Sequence, residues 1–590
     1  MKDTPLHRLS FDEIDEIRNP RPEEQEFDRV VARAISRRGF LGVLALGSGA
    51  AAMGLGTLMG ATSARAQAAS RFAFTPIGIA TDFSVQVPEG YAWKPVARWG
   101  DALFSDAPAF DAEKGMTPTG QARAVGENTD GMELFVIDGR QVIAVNHEYV
   151  NLDVNLPGNP DGLPQSADDV IKLQNAQGVT VMEVAEGPEG WAIVVDSPFN
   201  RRITNLTPMT LTGPAAGHDL LKTEADPTGT QVLGTLNNCG SGRTPWGTYL
   251  TCEENFNGYF GSTETAQDQK PVALPEAFKR YGIGAEGNYA YEKFDPRFDL
   301  SRNVNEPNRF GYVVEINPAD PTSTPVKHTA LGRFKHENAA LTLAADGRVV
   351  VYLGDDERGE FLYKWVSAVP YVEGGDTSTL LVDGQLFVAV FSDDMAGKWV
   401  ALTPEATGMS AAEIAIHTRM AGSAVGATTM DRPEWVAVNP VAAEAYCALT
   451  NNTNRGVKPN AGGDPTPVGG PNPREKNGFG QIVRWRPEGG DHAADTFTWD
   501  LYVMAGNPGV HTDAFAGSAN VTVGNMFNSP DGMAFDSTGL LWIQTDGDDS
   551  NEGDFAGQGN NQMLIGDPVS GQIERFLTGP KDSEVTGLLW

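Results

Sequence analysis

Cysteine is scarce in this sequence. Three residues in 590 allow one disulfide at most, so no sulfur framework staples the chain. No cysteine pair has zinc spacing, and the G-x-S-x-G elbow, the P-loop and H-E-x-x-H are all missing. The eight histidines are scattered. Positive charge is also in deficit, with 44 Lys+Arg against 77 Asp+Glu and a net charge of −33. Such a chain repels phosphate backbones and anionic lipid, which excludes nucleic acid and membrane surfaces as partners. It does suit multivalent cations. Past residue 66 no apolar run is long enough to span a bilayer.

Gly and Pro are plentiful, 67 and 38, and point to short strands joined by loops rather than to helices. Residues 1–66 read as a separate unit. Ser36-Arg37-Arg38-Gly39-Phe40-Leu41 precedes a weakly apolar stretch, Leu41 to Gly60, and Ala64-Arg65-Ala66 offers a small-x-small cleavage site. The pattern resembles a twin-arginine export signal behind a charged, disordered leader. The expected location is periplasmic or secreted, with no membrane attachment after cleavage. Residues 1–66 hold nine basic and nine acidic side chains, so residues 67–590 keep the whole −33.

Residues 67–590 contain a degenerate repeat rather than a linker between domains. Its units start at Asp130-Gly131, Glu337-Asn338, Glu434-Trp435, Asp531-Gly532 and Glu584-Val585. Each of the first four runs acidic residue, short strand, tight polar turn, second strand, then acidic or amide residues. Glu337 to Glu434 and Glu434 to Asp531 are both 97 residues apart. A sixth, weaker unit falls over Thr244 to Asn255. Hairpins with one apolar face must stack on neighbours, and four-stranded blades around an axis are the usual solution. A β-sandwich is the alternative. Gly456 to Gly478 reads as a long insertion. In a propeller, Asp130, Glu337, Glu434, Asp531 and Glu584 would converge at one mouth of the channel. Carboxylates so placed repel one another unless cations sit between them.

Ligand type narrows the cation. Asn146, Glu148, Glu254, Asn255, Asp355 and Asp356 are hard oxygen donors that suit Ca²⁺. Cys252, beside Glu253-Glu254-Asn255, adds a thiolate that suits iron better. Two other readings of Cys252 stay open: a buried inert thiol, or a disulfide with Cys239. Cys447, within an apolar strand, reads as inert. His147 and His336 each precede a Glu and are either ligands or hydrogen-bonded wall residues. Arg432, in Asp431-Arg432-Pro433-Glu434, either clamps an anion such as phosphate or pairs with its acidic neighbours.

Taken together, Phe334-Lys335-His336-Glu337, Thr251-Cys252-Glu253-Glu254-Asn255, Asp431-Arg432-Pro433-Glu434, Ser529-Pro530-Asp531-Gly532 and Glu584-Val585-Thr586-Gly587 resemble the PhoX-type alkaline phosphatases. The resemblance covers nearly all of residues 67–590. It implies a single six-bladed β-propeller with long loop insertions and a phosphomonoesterase activity. It also implies a two-iron, multi-calcium (Fe³⁺, Ca²⁺) cluster on the axis, with small phosphorylated substrates. Carried over by motif, Cys252 would ligate iron, Glu337 and Glu434 would be metal ligands, and Arg432 would contact phosphate as the catalytic residue. Glu148, Glu254, Asp355, Asp356, Asp531 and Glu584 follow by repeat position. Relatives run on past the Glu-Val-Thr-Gly strand, whereas this chain stops at Trp590, so the last blade is expected to be incomplete. A monomer is expected, met outside the fold only by the twin-arginine export machinery. The rival functions are a calcium-dependent propeller lactonase or esterase and a non-enzymatic calcium-binding propeller.

Overall fold

A computed structural model describes residues 70–590, apart from 112, 160–161 and 265–273, together with Ile14. The twin-arginine motif and the cleavage site lie outside the described residues. The fold is mainly β. A first sheet joins β1 (Thr129–Ile137), β2 (Arg140–His147), β3 (Gly178–Gly187) and β4 (Gly190–Ile193), with β5 (Arg201–Ile203) also on β3. A second holds β6 (Pro208–Thr212), β7 (Gln231–Leu233), β8 (Asn238–Arg243), β9 (Tyr249–Glu253), β10 (Val313–Ile316) and β11 (Val326–His328).

The third sheet has nine strands. It runs through β12 (Ala340–Leu343), β13 (Arg348–Gly354), β14 (Leu362–Pro370), β15 (Gly384–Phe391) and β16 (Ala396–Ala401). It continues through β20 (Thr496–Met504), β19 (Gln481–Pro487), β18 (Ala445–Leu449) and β17 (Pro433–Val438). Its end strands β12 and β17 touch, so this sheet nearly closes on itself. A fourth sheet is the meander β21 (Pro530–Phe535), β22 (Leu541–Thr545), β23 (Gln562–Gly566) and β24 (Ile573–Thr578). No helix among the described residues is long and apolar enough to cross a membrane.

The leading strands β1, β8, β12, β17 and β21 contact one another in that order. Backbones approach closely there because the sequence supplies glycine. A Cβ on Gly131 would stand 2.6 Å from the backbone of Gly240, and one on Gly240 would stand 2.3 Å from the Glu337 carbonyl oxygen. Residues 584–590 form no strand but fill the gap between the last leading strand and the first. Thr586 Oγ1 donates to Asp130 Oδ1 at 2.7 Å, and Gln544 Nε2 donates to the Gly587 carbonyl at 2.8 Å.

Apolar residues of neighbouring sheets fill the spaces between them. Val142, Val181, Met209, Tyr249 and Val314 join the first two sheets, and Val436, Tyr352, Leu449 and Trp485 pack within the third. The insertion between β18 and β19 is anchored through Arg455, whose Nε donates to Asp431 Oδ1 at 2.5 Å, and through Asn477 Nδ2, at 3.0 Å from Asp431 Oδ2.

Candidate metal centre

One backbone device recurs at the start of five hairpins. Each leading segment makes one flush pair, at the first residue of the strand in four units and at an isolated bridge ahead of β12 in the other, then slips by one residue before pairing resumes. The flush pairs are Thr129↔His147, Asn238↔Glu253, His336↔Asp355, Pro433↔Leu449 and Pro530↔Thr545. Pairing resumes at Met132↔Val145, Ser241↔Thr251, Ala340↔Tyr352, Val436↔Cys447 and Met533↔Ile543. An extra residue in one strand is a β-bulge, which bends the strand and re-aims a side chain. The residues directly after the flush pairs are Asp130, Cys239, Glu337, Glu434 and Asp531, and all five line one cavity of about 620 Å³. In four of these units the residue two places earlier takes a positive φ: Asn128 (42°), Asn237 (49°), Arg432 (54°) and Ser529 (45°). Non-glycine residues adopt this conformation at a cost of order 1 kcal/mol, so it marks a place the fold over-determines.

The second strand of each hairpin adds a further row. Glu148, Glu254, Asp356 and Asp546 immediately follow the flush partners His147, Glu253, Asp355 and Thr545, and all four line the same cavity. Glu584 joins them from the C-terminal segment. In all, twelve carboxylates and two arginines, Arg358 and Arg432, line the space, so its own charges cannot balance.

Two sets of donor atoms lie within 4.8 Å of one another: Cys239 with Glu254 and Glu337, and Glu337 with Glu434 and Asp531. Two charges at that distance repel by about 3.5 kcal/mol at an effective dielectric of about 20. Three such pairs among Glu337, Glu434 and Asp531 sum to about 10 kcal/mol, as large as the whole stability of a typical domain. Accordingly, burial first and neighbouring carboxylates second push Glu254, Glu337, Glu434, Asp531 and Glu584 well above the ordinary carboxylate range. Burial carries Asp130 from 3.8 to about 6. The Cys239 thiol is pushed up by burial and then by Asp130 and Glu337, and it donates to Glu337 Oε2 at 3.2 Å. Asp130 Oδ2 and Asp531 Oδ1 are buried without a hydrogen-bond partner. Orphaned carboxylate oxygens beside a thiol are what a cation would satisfy, so the residues present fit metal ions.

The structure brings together Glu148, Glu254, Glu337, Asp356, Glu434, Asp531 and Glu584, together with Arg432. It does not bring Cys252 or Asp355. Cys252 points into an apolar cluster with Leu250, Val313, Leu331 and Val349, so the thiol among the carboxylates is that of Cys239. The alternation of strand β9 turns Cys252 toward the third sheet, whereas Cys239 sits on the bulge of β8 and lines the cavity. All three cysteines are free, so the Cys239–Cys252 disulfide is not made. Asp355 is fully buried and takes a two-pronged bond from Arg419, Nη2 to Oδ1 at 2.6 Å and Nε to Oδ2 at 2.8 Å. His147 bonds Thr180 Oγ1 at 2.7 Å, and His336 Nε2 bonds the Gly332 carbonyl at 2.9 Å; neither lines the cavity. Asp130, Cys239, Asp546 and Arg358 also line the cavity, with Asn255 and, toward its rim, Asp548, Asp549 and Asp582 among the others.

Arg432 stands in the cavity wall with its head oriented. Its Nε and Nη2 each donate to Asp356 at 2.8 Å, and Nη2 lies 3.4 Å from Glu434 Oε1. Asp431, beside it in sequence, is committed to Arg455.

Twelve carboxylates around one cavity, with an arginine fork in its wall, fit a metal-dependent phosphatase. The chain belongs to the PhoX family of alkaline phosphatases: residues 72–590 match the family model Alkaline phosphatase PhoX. Among solved structures it is similar to Pseudomonas fluorescens PhoX in complex with vanadate, a transition-state analogue. That likeness has 49% identity and a TM-score of 0.83, over 88% of this chain and 91% of that one. A gluconolactonase from Xanthomonas campestris, 11% identical with a TM-score of 0.22 over 65% of this chain and 82% of that one, is too distant to bear on fold or activity. No curated protein sequence matches.

Proposed function

We propose that this phosphatase hydrolyses phosphate monoesters at an iron and calcium cluster on the axis of a six-bladed propeller. The five bulged hairpins and the 584–590 segment supply six leading segments around that axis, in one domain over residues 67–590. The observation that carries the reading is the thiol of Cys239 within 4.8 Å of Glu254 and Glu337 donor atoms, sharing Glu337 with an all-carboxylate set. A set with sulfur suits iron, and a set of oxygens alone suits calcium. A calcium-dependent lactonase requires hard oxygen donors only, which is not what Cys239 builds. Asp130, Glu148, Asp546 and Glu584 supply further oxygen donors. When bound, the cations provide Lewis-acid charge for the phosphate oxygens.

The chain's own residues do the rest. Glu337 joins the two donor sets and holds them in one geometry. Cys239 Sγ–H is directed at Glu337, and as a thiolate Cys239 would hold a cation together with Glu337 and Glu254. Asp356 holds the Arg432 guanidinium plane, leaving a rigid positive group to orient phosphate and stabilise its equatorial oxygens. The enzyme works as a monomer in the periplasm or outside the cell, after export by the twin-arginine route. Phosphate release from a chromogenic monoester, with and without a chelator, tests the activity, and elemental analysis tests the metals. Turnover that survives complete metal removal sinks the reading.

A further inference from the structure

The cavity that collects the carboxylates has one surface of a different kind. Among the described residues that line it, only Tyr149 and Phe555 are aromatic. The Tyr149 phenol feels the charges of Glu148, Glu584 and Asp546, so that ring belongs to the acidic side. Phe555 offers an apolar face alone.

Phe555 is held as a rigid plate. Asn507 Nδ2 donates to the carbonyls of Asp554 at 2.9 Å and Ala556 at 2.8 Å, one on each side of it in sequence. Asn551 Oδ1 accepts from Gly557 N at 2.7 Å and Gly559 N at 3.2 Å and so closes the loop. The ring packs on buried Phe479, with centroids 5.2 Å apart. A loop tied in this way has little freedom left to lose when a ligand arrives. Gly478, also in the cavity wall, keeps the end of the ring uncovered. A Cβ there would stand 3.9 Å from Phe555 Cζ and meet nothing else within 4 Å beyond its chain neighbours.

The surroundings of this ring give it a place in the site. Asn477 Nδ2 lies 3.0 Å from Asp431, the neighbour of Arg432. The Phe479 carbonyl accepts from Ser529 N at 2.8 Å, two residues ahead of Asp531. The ring therefore stands in the wall between the unit of Arg432 and Glu434 and the unit of Asp531, whose carboxylates share one donor set. We propose that Phe555 receives the leaving group of the ester and, with Gly478, selects monoesters whose leaving group is a flat, uncharged ring. Asp548 and Asp549 in the same lining disfavour a leaving group with further negative charge. Contacts to the phosphate are common to every monoester and create no preference. A ring laid on Phe555 removes apolar surface of both partners from water, and the aromatic contact adds to that. A glycerol group there would give up water and gain no hydrogen bond from the phenyl ring. The selecting role rests on the phosphatase reading, whereas the affinity for a ring does not.

The test uses two phosphonates that are not hydrolysed and carry the same head, phenylphosphonate and methylphosphonate. Calorimetry measures their binding to the metal-loaded 590-residue chain. The wild type should bind phenylphosphonate about 10-fold more tightly. Phe555→Ala removes the plate. Gly478→Val covers its end and leaves the contact of Phe555 with Phe479 in place. In both variants the preference should shrink to about twofold or less, with methylphosphonate as the reference for the head group. Equal binding of the two phosphonates by the wild type, or a preference that survives in either variant, overturns the proposal. Hydrolysis of phenyl phosphate and glycerol phosphate is then compared in the same chains. The ratio of their kcat/KM values should fall about fivefold or more in each variant. An unchanged ratio overturns the selecting role. A ring preference in binding, with no monoester hydrolysed by any metal-loaded chain, counts against the phosphatase reading and leaves the ring site standing.

Discussion

Cys239 and Cys252 stand thirteen residues apart in sequence, and substituting each separates two very different environments. Cys239→Ser replaces the thiol that shares the cavity with Glu254 and Glu337. Outer partners of metal ligands already cost 10- to 100-fold in metal affinity when lost, so a direct ligand should cost at least about 100-fold, about 2.7 kcal/mol. Iron should fall in elemental analysis, and any visible absorption from sulfur-bound iron should bleach. Unfolding of the metal-free protein should hardly change, because the thiol's neighbours there are carboxylates. Cys252→Ala does the opposite. It opens a small void among Leu250, Val313 and Leu331, where cavity and transfer terms together cost about 1–2 kcal/mol, a fall of a few degrees in Tm. Its metal content and absorption should match the wild type. Loss of iron on Cys252→Ala with retention on Cys239→Ser would refute the placement of the two thiols and the role given to the β8 bulge.

Other variants probe the remaining parts. Arg432→Lys keeps the charge but not the fork on Asp356, so kcat/KM should fall about 10²- to 10³-fold with metal content unchanged by elemental analysis. Asp355→Ala strands the buried Arg419 and should cost about 3–5 kcal/mol in denaturant unfolding, while the metal content per folded molecule stays constant. The chelated protein should become less stable as pH rises. Its axial carboxylates have folded pKa values above the unfolded ones, so their full contribution is present below about pH 4 and is lost on passing through the raised values. Asp130 alone, carried from 3.8 to about 6, accounts for about 2–3 kcal/mol of that loss. Guanidinium unfolding of chelated and metal-loaded protein between pH 4 and 8 checks it, and the loaded protein should not follow the same slope.

Much of the site was legible because it repeats. The acidic residue ahead of each apolar strand marks Asp130, Glu337, Glu434 and Asp531, and two spacings of 97 residues tie them together. The unit at 238–253 was misplaced because its leading strand reads Asn-Cys-Gly-Ser-Gly-Arg, without an acid or an apolar residue to show the pattern. The spacing held the signal all the same, since Cys239 lies 98 residues before Glu337. Asp355 and Asp356 are neighbours with the same chemistry in sequence. Period-two alternation sends one to Arg419 and the other to the axis, and only the pairing of β13 decides which. Asp546 closes a unit recognisable in sequence, but its role depends on the row it shares with Glu148, Glu254 and Asp356.

Sequence by itself determined the kind of chemistry. An excess of carboxylates, few sulfurs, no side-chain nucleophile motif and a strand repeat leave a cation-dependent β protein, because like charges recurring at one repeat position need counter-charge. Tertiary structure decided which members of that supply meet. A one-residue bulge at each leading strand turns Cys239 inward and leaves Cys252 in the core, and Asp356 holds Arg432 toward the cavity while Asp431 is spent on the insertion. The reason is geometric. Composition and spacing fix which donors exist, whereas a shift of one residue in register moves a side chain to the other face of its strand, and only the folded sheet sets that register.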